Sequence, residues 1–307
     1  MGAFIARRAL LGLLTLLIVT MVVSTLVHLV PGDPVRIMYA QNQTTGPEQI
    51  EAKRRELGLD QPIWQQYLNY MGGLLRGDMG KTIRGEQPVA ELLFLRLPNT
   101  IALAVASFAI AVLFGGILGF LSAYYRGSWF DTLAMGVALG GIVIPSFWLG
   151  LMLMFFFSVR LGWFPVGGTT PASLVLPAVT LGLGNAAIIA RLTRSSMLDV
   201  LSQDYMRTAR AKGLVESRVL WRHALKNSLI PIVTILGLQV AYTLGGAVVV
   251  ENVFAWNGVG RLAVQAILQR DFPLIQGFVL MLAVMVVLVS LAVDVLYAWI
   301  DPRIRYG

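Results

Sequence analysis

The residues best equipped for chemistry stand together between two apolar runs: Asp204, Tyr205, Arg207, Arg210 and Lys212, then Arg222, His223, Lys226 and Asn227. Guanidinium and ammonium groups at this density close on carboxylates and carbonyls, which is the chemistry of recognition. Read as a helix over 204–213, capped by Asp204 and stopped by Gly213, the stretch puts Tyr205, Ala209 and Gly213 in line at intervals of four, with Arg207 and Arg210 alongside. Small residues in such a line let a second surface approach the backbone, so the stretch reads as a docking knob with a cationic rim. A plainer reading also stands, in which a basic loop between spans only marks the cytoplasmic side of a membrane.

The elements that hold this knob are long and apolar. Of 307 residues, 57% are hydrophobic and 13% charged, beyond what a water-soluble domain carries, so the solvent for most of the chain is lipid. Uncharged runs at 9–30, 97–125, 132–159, 174–190, 229–250 and 272–293 each approach or exceed the length of about 20 residues that crosses a bilayer. Six spans put both termini on one side. Arg7, Arg8, Arg126, Arg191, Arg194, the 207–226 cluster, Arg303 and Arg305 fall in one set of loops, which makes that side cytoplasmic. The opposite loops are nearly balanced, so the net charge of +8 signals orientation and not a nucleic acid partner.

Three segments follow: a first span at 1–30, an extracytoplasmic helical insertion at 31–97, and a five-span core at 98–307 carrying the cytoplasmic loop 195–228. Pro31-Gly32-Asp33-Pro34 breaks the first helix. Within the insertion, one helix over 47–57 is closed by Gly58, and a second over 62–75 gathers Ile63, Tyr67, Tyr70 and Leu74 on one face. That face packs against the membrane domain or meets a soluble partner. Gly115/Gly119 and Gly136/Gly140 offer close helix contacts, and Pro145 kinks the third run. Among the few polar residues inside spans, Gln239 is the pathway candidate, because an uncharged amide solvates a peptide bond without needing a counterion. Asp294 either marks a route for solute or pairs with a nearby Arg or headgroup water.

Taken together, 207–213 and 222–227 resemble the permease subunits of binding-protein-dependent ABC importers, in the dipeptide, oligopeptide, glutathione and nickel branch. That family's cytoplasmic loop carries Glu-Ala-Ala, a three-residue gap, Gly, a nine-residue gap and Ile-x-Leu-Pro. Here Ala209, Gly213 and His223-Ala224-Leu225-Lys226 keep the spacing, with Arg207 at the Glu position, Thr208 at the first Ala and Lys226 at the closing Pro. The stretches 31–34, 57–62, 77–80, 161–168 and 251–262 are also similar to the family, with Asn257 where a Pro is usual. The resemblance implies an all-α membrane protein of the type I ABC importer permease fold, in the cell inner membrane. It implies a coupling helix, Tyr205, Arg207, Ala209, Arg210, Lys212 and Gly213, that seats in a groove of an ATP-hydrolysing subunit. Glu251 and Trp256 are implied at an external gate or binding-protein contact. The implied partners are a second homologous permease, two ATP-binding subunits that use ATP and Mg, and an extracytoplasmic substrate-binding protein; the solutes are di- or oligopeptides, glutathione or nickel chelates.

Other chemistries lack their residues. There is no Gly-x-x-x-x-Gly-Lys-Ser/Thr loop to cradle ATP, no Gly-x-Ser-x-Gly elbow, no cysteine, and only His28 and His223 for a metal, so no cofactor is expected on this chain. Gly182-Leu183-Gly184-Asn185-Ala186-Ala187 spells a dinucleotide fingerprint but sits in a membrane run with no strand before it. A secondary carrier would need intramembrane ionisable residues and repeated halves, and a membrane enzyme a catalytic constellation. The non-catalytic pathway subunit of an ATP-driven importer is the expectation, with the secondary active transporter as its alternative.

Overall fold

In the computed structural model the described residues are 2–29, 35, 46–56, 58–83 and 85–300. The expected break at 31–34 and the charges at Asp301, Arg303 and Arg305 lie outside them. The helices are α1 (Gly2–Leu29), α2 (Pro47–Glu56), α3 (Ile63–Leu74), α4 (Val89–Tyr124), α5 (Trp129–Val143), α6 (Ser146–Leu153), α7 (Pro171–Leu201), α8 (Asp204–Ala211), α9 (Glu216–Arg218), α10 (Lys226–Val253), α11 (Val259–Gln269) and α12 (Phe272–Ile300). Two π-helical pieces, Met154–Arg160 and Val219–Leu225, continue α6 and lead into α10. No strand occurs among the described residues beyond an isolated bridge between Lys81 and Pro88.

These residues form two compact units. The first comprises the described residues of Ala6–Pro98 and Gly258–Val287. Gly58, at φ +67°, closes α2 as expected, because only glycine turns there without crowding its own Cβ. Pro62 sets the entry to α3, whose Tyr67 hydroxyl lies 3.2 Å from that of Thr20 on α1. Val89 and Leu93 at the start of α4 pack with Val259, Leu262 and Ala266 of α11 and with Leu274 and Met281 of α12. Asp271 accepts from the backbone N–H groups of Ile83 at 3.0 Å and Leu274 at 3.3 Å, and so starts α12.

The second unit comprises the described residues of Met1–Ile5, Asn99–Asn257 and Leu288–Gly307. Its centre is α7, against which α5, α6 and α10 pack. The remainder of α4 joins α7 along a glycine seam. A Cβ on Gly115 would stand 2.9 Å from Cβ of Ile189, and one on Gly119 would meet the Ala190 carbonyl and stand 2.7 Å from Cβ of Thr193. Backbones meet here because nothing larger than hydrogen intervenes. Gly182 serves the same seam from the other side, where a Cβ would stand 2.9 Å from the Ser107 carbonyl, which is the work of that apparent fingerprint. A Cβ on Gly136 or Gly140, expected to act likewise, would meet no described atom within 4 Å outside its own helix. Spacing identifies a small-residue pair but not the direction it faces.

Three boundaries differ from expectation. The second span begins at Val89, well before 97, because Pro98 only denies a donor to one carbonyl and leaves α4 continuous. The fourth apolar run is extended to Leu201, carrying Arg191 and Arg194 into α7. The third run is not a kinked span but a broken one. Ile144 is extended at ψ 122° ahead of Pro145, and the helices on either side make an angle of 104°. A residue before proline is steered away from the helical region, and proline contributes no N–H to bridge the gap. Among the described residues five helices are then long and apolar enough to cross a bilayer, and the count reaches six when the bent pair is taken as one span.

Candidate coupling site

The cationic stretch lies on α8, a helix of 8 residues between α7 and the π-helical lead into α10. Its first cap differs from expectation: Gln203 occupies the cap position without a side-chain bond to the first turn, and Asp204 opens the helix with its carboxylate exposed, 3.7 Å from Arg207. Gly213 stops it as expected. At φ +75° its N–H bonds the Arg210 carbonyl at 2.9 Å, and the next N–H, of Leu214, reaches the Ala209 carbonyl at 3.4 Å.

The small-residue line does not survive folding. Ala209 is 8% exposed and turns inward with fully buried Met206, packing among Ala123, Met197, Val219 and Ala224. Positions three apart share the apolar face of so short a helix, and Gly213 is the stop beyond it. Asp204, Tyr205, Arg207, Thr208, Arg210 and Ala211 of α8, with Lys212 just beyond it, face outward.

Both ends of α8 are tied down. Asn227 at the start of α10 donates to the Tyr205 hydroxyl at 3.1 Å. Arg210 donates from Nε at 3.1 Å and from Nη2 at 2.8 Å to the carboxylate of Glu216 on α9. This two-pronged bond holds the Glu216 carboxyl below its usual range and raises the Arg210 guanidinium above its own. A helix fixed at both ends and seated on an apolar face moves with its surroundings and not against them.

Beneath it lies a joint that charge counting missed. Asp131, 4% exposed on the first turn of α5, receives Nε of Arg194 at 2.6 Å, Nη2 of Arg194 at 2.7 Å, the Gly127 N–H at 3.0 Å and the Ser122 hydroxyl. One carboxylate thus joins α4, α5 and α7. Ala123, next to Ser122 on α4, and Met197, three residues beyond Arg194 on α7, are among the residues that receive α8. The signal was faint: Asp131 stands three residues after Ser128, whose side chain caps α5, and Arg194 is 63 positions away.

The other candidates are dispersed. Gln239, 5% exposed on α10, donates to Oδ1 of Asn185 on α7 at 2.7 Å, and Nδ2 of Asn185 donates to Thr243 at 2.8 Å. Glu251 is fully buried and accepts from the Thr100 hydroxyl at 2.6 Å. Trp256, 3% exposed, donates from its indole to the Asn99 carbonyl at 2.9 Å and packs with Leu103, Leu176 and Phe254. Asp294 is half-buried toward the C-terminal end of α12. The structure brings the six coupling residues onto one short segment and sets Trp256 beside Glu251, whose carbonyl accepts from the Trp256 N–H at 2.8 Å, but it does not gather all four.

Comparison with known proteins bears on the whole chain. Residues 115–306 match the family described as binding-protein-dependent transport system inner membrane component, and residues 1–104 match its N-terminal companion family. The chain is 48% identical over 301 residues to the glutathione transport system permease protein GsiC of Pectobacterium atrosepticum, covering 97% of this chain and 98% of that protein. It is 46% identical over 305 residues to the protein of the same name from Escherichia coli strain K12, at the same coverages. In fold it is similar to a chain of the inward-facing MetNI methionine ABC transporter, with a TM-score of 0.60 at 20% identity over 68% of this chain and 96% of that one. A chain of an amino acid ABC transporter with histidines gives a TM-score of 0.53 at 18% identity, over 69% and 94%. With matches running from end to end, the chain belongs to the binding-protein-dependent inner membrane components, the transmembrane permease subunits of ATP-driven importers, in their dipeptide and glutathione branch.

Proposed function

We propose that this permease conducts glutathione or short peptides inward and that ATP-hydrolysing partners drive it through the exposed face of α8. One observation carries the reading: α8 is clamped by Asn227 and Glu216, seated on Met206 and Ala209, and left with Tyr205, Arg207, Thr208 and Lys212 outward. A rigid helix passes on displacement through shape and contact. Two ATP-binding subunits close on ATP, one carries α8 with it, and a second homologous permease makes the corresponding movement across the pathway. An extracytoplasmic binding protein delivers the solute. The excess of Lys and Arg in one set of loops supports a cytoplasmic position for α8 and both termini, on the side where ATP is. This chain contributes no catalytic group; hydrolysis takes place on its partners. The identity of the solute follows the relatives named for glutathione transport, whose similarity to this chain runs its full length. A gradient-driven carrier has no support beside these.

Thr208→Trp tests the docking face, since Thr208 is exposed and bonds only the Asp204 carbonyl of its own helix. The assembled complex is expected to hydrolyse ATP while uptake of solute falls severalfold. Unaltered uptake at an unaltered rate of hydrolysis overturns the assignment.

A further inference from the structure

Helices α7 and α10 run antiparallel along one seam. At the end nearest α8, the Ser228 hydroxyl stands 3.1 Å from the sulfur of Met197, a weak acceptor. Leu236 then packs against Ala186 and Ile189. At the far end a Cβ on Gly246 would stand 3.0 Å from Cδ1 of Leu181, and Leu176, Ala178 and Leu181 share a cluster with Ala247 and Val250. Between Leu236 and Gly246 the seam turns polar. Nε2 of Gln239 donates to Oδ1 of Asn185 at 2.7 Å, Nδ2 of Asn185 donates to the Thr243 hydroxyl at 2.8 Å, and that hydroxyl donates back to the Gln239 carbonyl at 2.7 Å. The bonds close a ring, and all three residues are buried.

An apolar seam inside a bilayer has little to keep it in register. Lipid tails are as apolar as Leu, so a helix that slides a turn along its neighbour exchanges like contacts for like. Amides do not slide so freely, because a slip that parts them leaves buried donors and acceptors unmatched. A single buried polar residue fixes register in coiled coils for the same reason. Register matters here because α8 is fastened to both helices. Its Tyr205 bonds Asn227 at the start of α10, and its Met206 and Ala209 pack with Met197 of α7. A displacement of α8 therefore enters the seam from both sides.

We propose that Asn185, Gln239 and Thr243 are positioning residues, a pin that holds α7 and α10 in one register so that the two helices carry the movement of α8 as a single body. The inference rests on α8 being the driven element. It also moves Gln239 from the pathway to the frame: its amide acts on a neighbouring helix and not on the solute.

Two quantities are measured on the assembled complex in vesicles: solute taken up per ATP hydrolysed, and the concentration of loaded binding protein that gives half-maximal uptake. Gln239→Asn is too short to reach Asn185 and is expected to lower the ratio severalfold without moving the half-maximal concentration. Adding Asn185→Gln restores the summed length of the two amides and should recover most of the loss. Thr243→Val, isosteric and lacking only the hydroxyl, should show a smaller fall, and it carries the test if Gln239→Asn does not assemble. An unaltered ratio in these variants overturns the pin. So does a raised half-maximal concentration in Gln239→Asn, which would return Gln239 to the solute, or a double variant no better than the single one. A second measurement stands apart from how α8 is driven. The chain has no cysteine, so nitroxides on Leu183→Cys and Leu229→Cys, both exposed, report the distance between α7 and α10 with cysteine-free partners. With Asn185 opposite Thr243, the labels stand about 14 residues apart along the seam, roughly 20 Å, and a slip of one turn alters that by about 5 Å. The distribution should be narrow with the pin intact and broad or split in Gln239→Asn; a narrow distribution in both overturns the proposal. A split distribution beside unaltered uptake in Thr208→Trp would keep the pin and overturn the docking of α8 instead.

Discussion

Replacing Asp131 by Asn tests the joint under α8 most sharply. The carboxylate receives four donors, and an amide in its place offers one acceptor oxygen and turns an NH2 either toward Arg194 Nε and the Ser122 hydroxyl or toward Arg194 Nη2 and the Gly127 N–H. The guanidinium then stays half-enclosed without its counterion. Removing one partner of a buried ion pair costs about 3–5 kcal/mol. The Arg194 side chain is 28% exposed, so water reaches it and the lower figure, about 3 kcal/mol, applies. That is roughly a hundredfold in an equilibrium constant. Two measurements are needed on the assembled complex: the unfolding midpoint in denaturant, and the ratio of solute taken up to ATP hydrolysed. Both are expected to fall, because the helices that receive α8 are no longer joined. Arg194→Lys, which keeps the charge but loses the two-pronged geometry, should fall less in both. Unaltered stability and an unaltered ratio in Asp131→Asn would refute the joint. Lost stability with an unaltered ratio would leave it a staple with no part in transmitting movement.

Two further outcomes follow from the geometry. Gly119→Val forces side-chain atoms into the Ala190 carbonyl and Thr193, and the overpacked seam should lose about 1–3 kcal/mol by chemical denaturation, while Gly136→Val, with open space around it, leaves the isolated chain unchanged. The Arg210–Glu216 clamp has a pH signature: because the folded Glu216 pKa is lowered, its contribution is full above the ordinary carboxylate value and is lost as pH falls through the lowered one. Both side chains are more than a third exposed, so the loss stays below about 1 kcal/mol and shrinks in salt. Hydrogen-exchange protection of the Gly213 and Leu214 amides, corrected for intrinsic rates, should weaken in acid, and Glu216→Gln should remove that dependence.

Local rules were readable where one residue decides. Gly58 and Gly213 stop their helices because their φ angles of +67° and +75° are strained for residues with a Cβ, and no tertiary contact is needed to foresee it. The apolar runs were readable because lipid is a single uniform solvent. Facing directions were not. Ala209 looked outward on spacing alone, whereas the buried side of α8 is set by Met206 and by the pocket among Ala123, Met197 and Val219, which three separate segments build. Gly115 and Gly136 carry the same pattern and differ only in whether α7 is opposite. The pairing of Asp131 with Arg194 spans 63 positions and had no local mark, so both registered only as charges at a membrane edge.

The break at Pro145 sets a condition on the protein's surroundings. Residues 142–145 are all exposed on this chain, and the proline leaves the carbonyl four places before it without a helical donor. Hydrocarbon tails offer no hydrogen bonds, so bare peptide groups are excluded from contact with them. This patch of the subunit belongs to water or to another polypeptide, and a solitary copy sealed all round by fatty acyl tails would be an incomplete object.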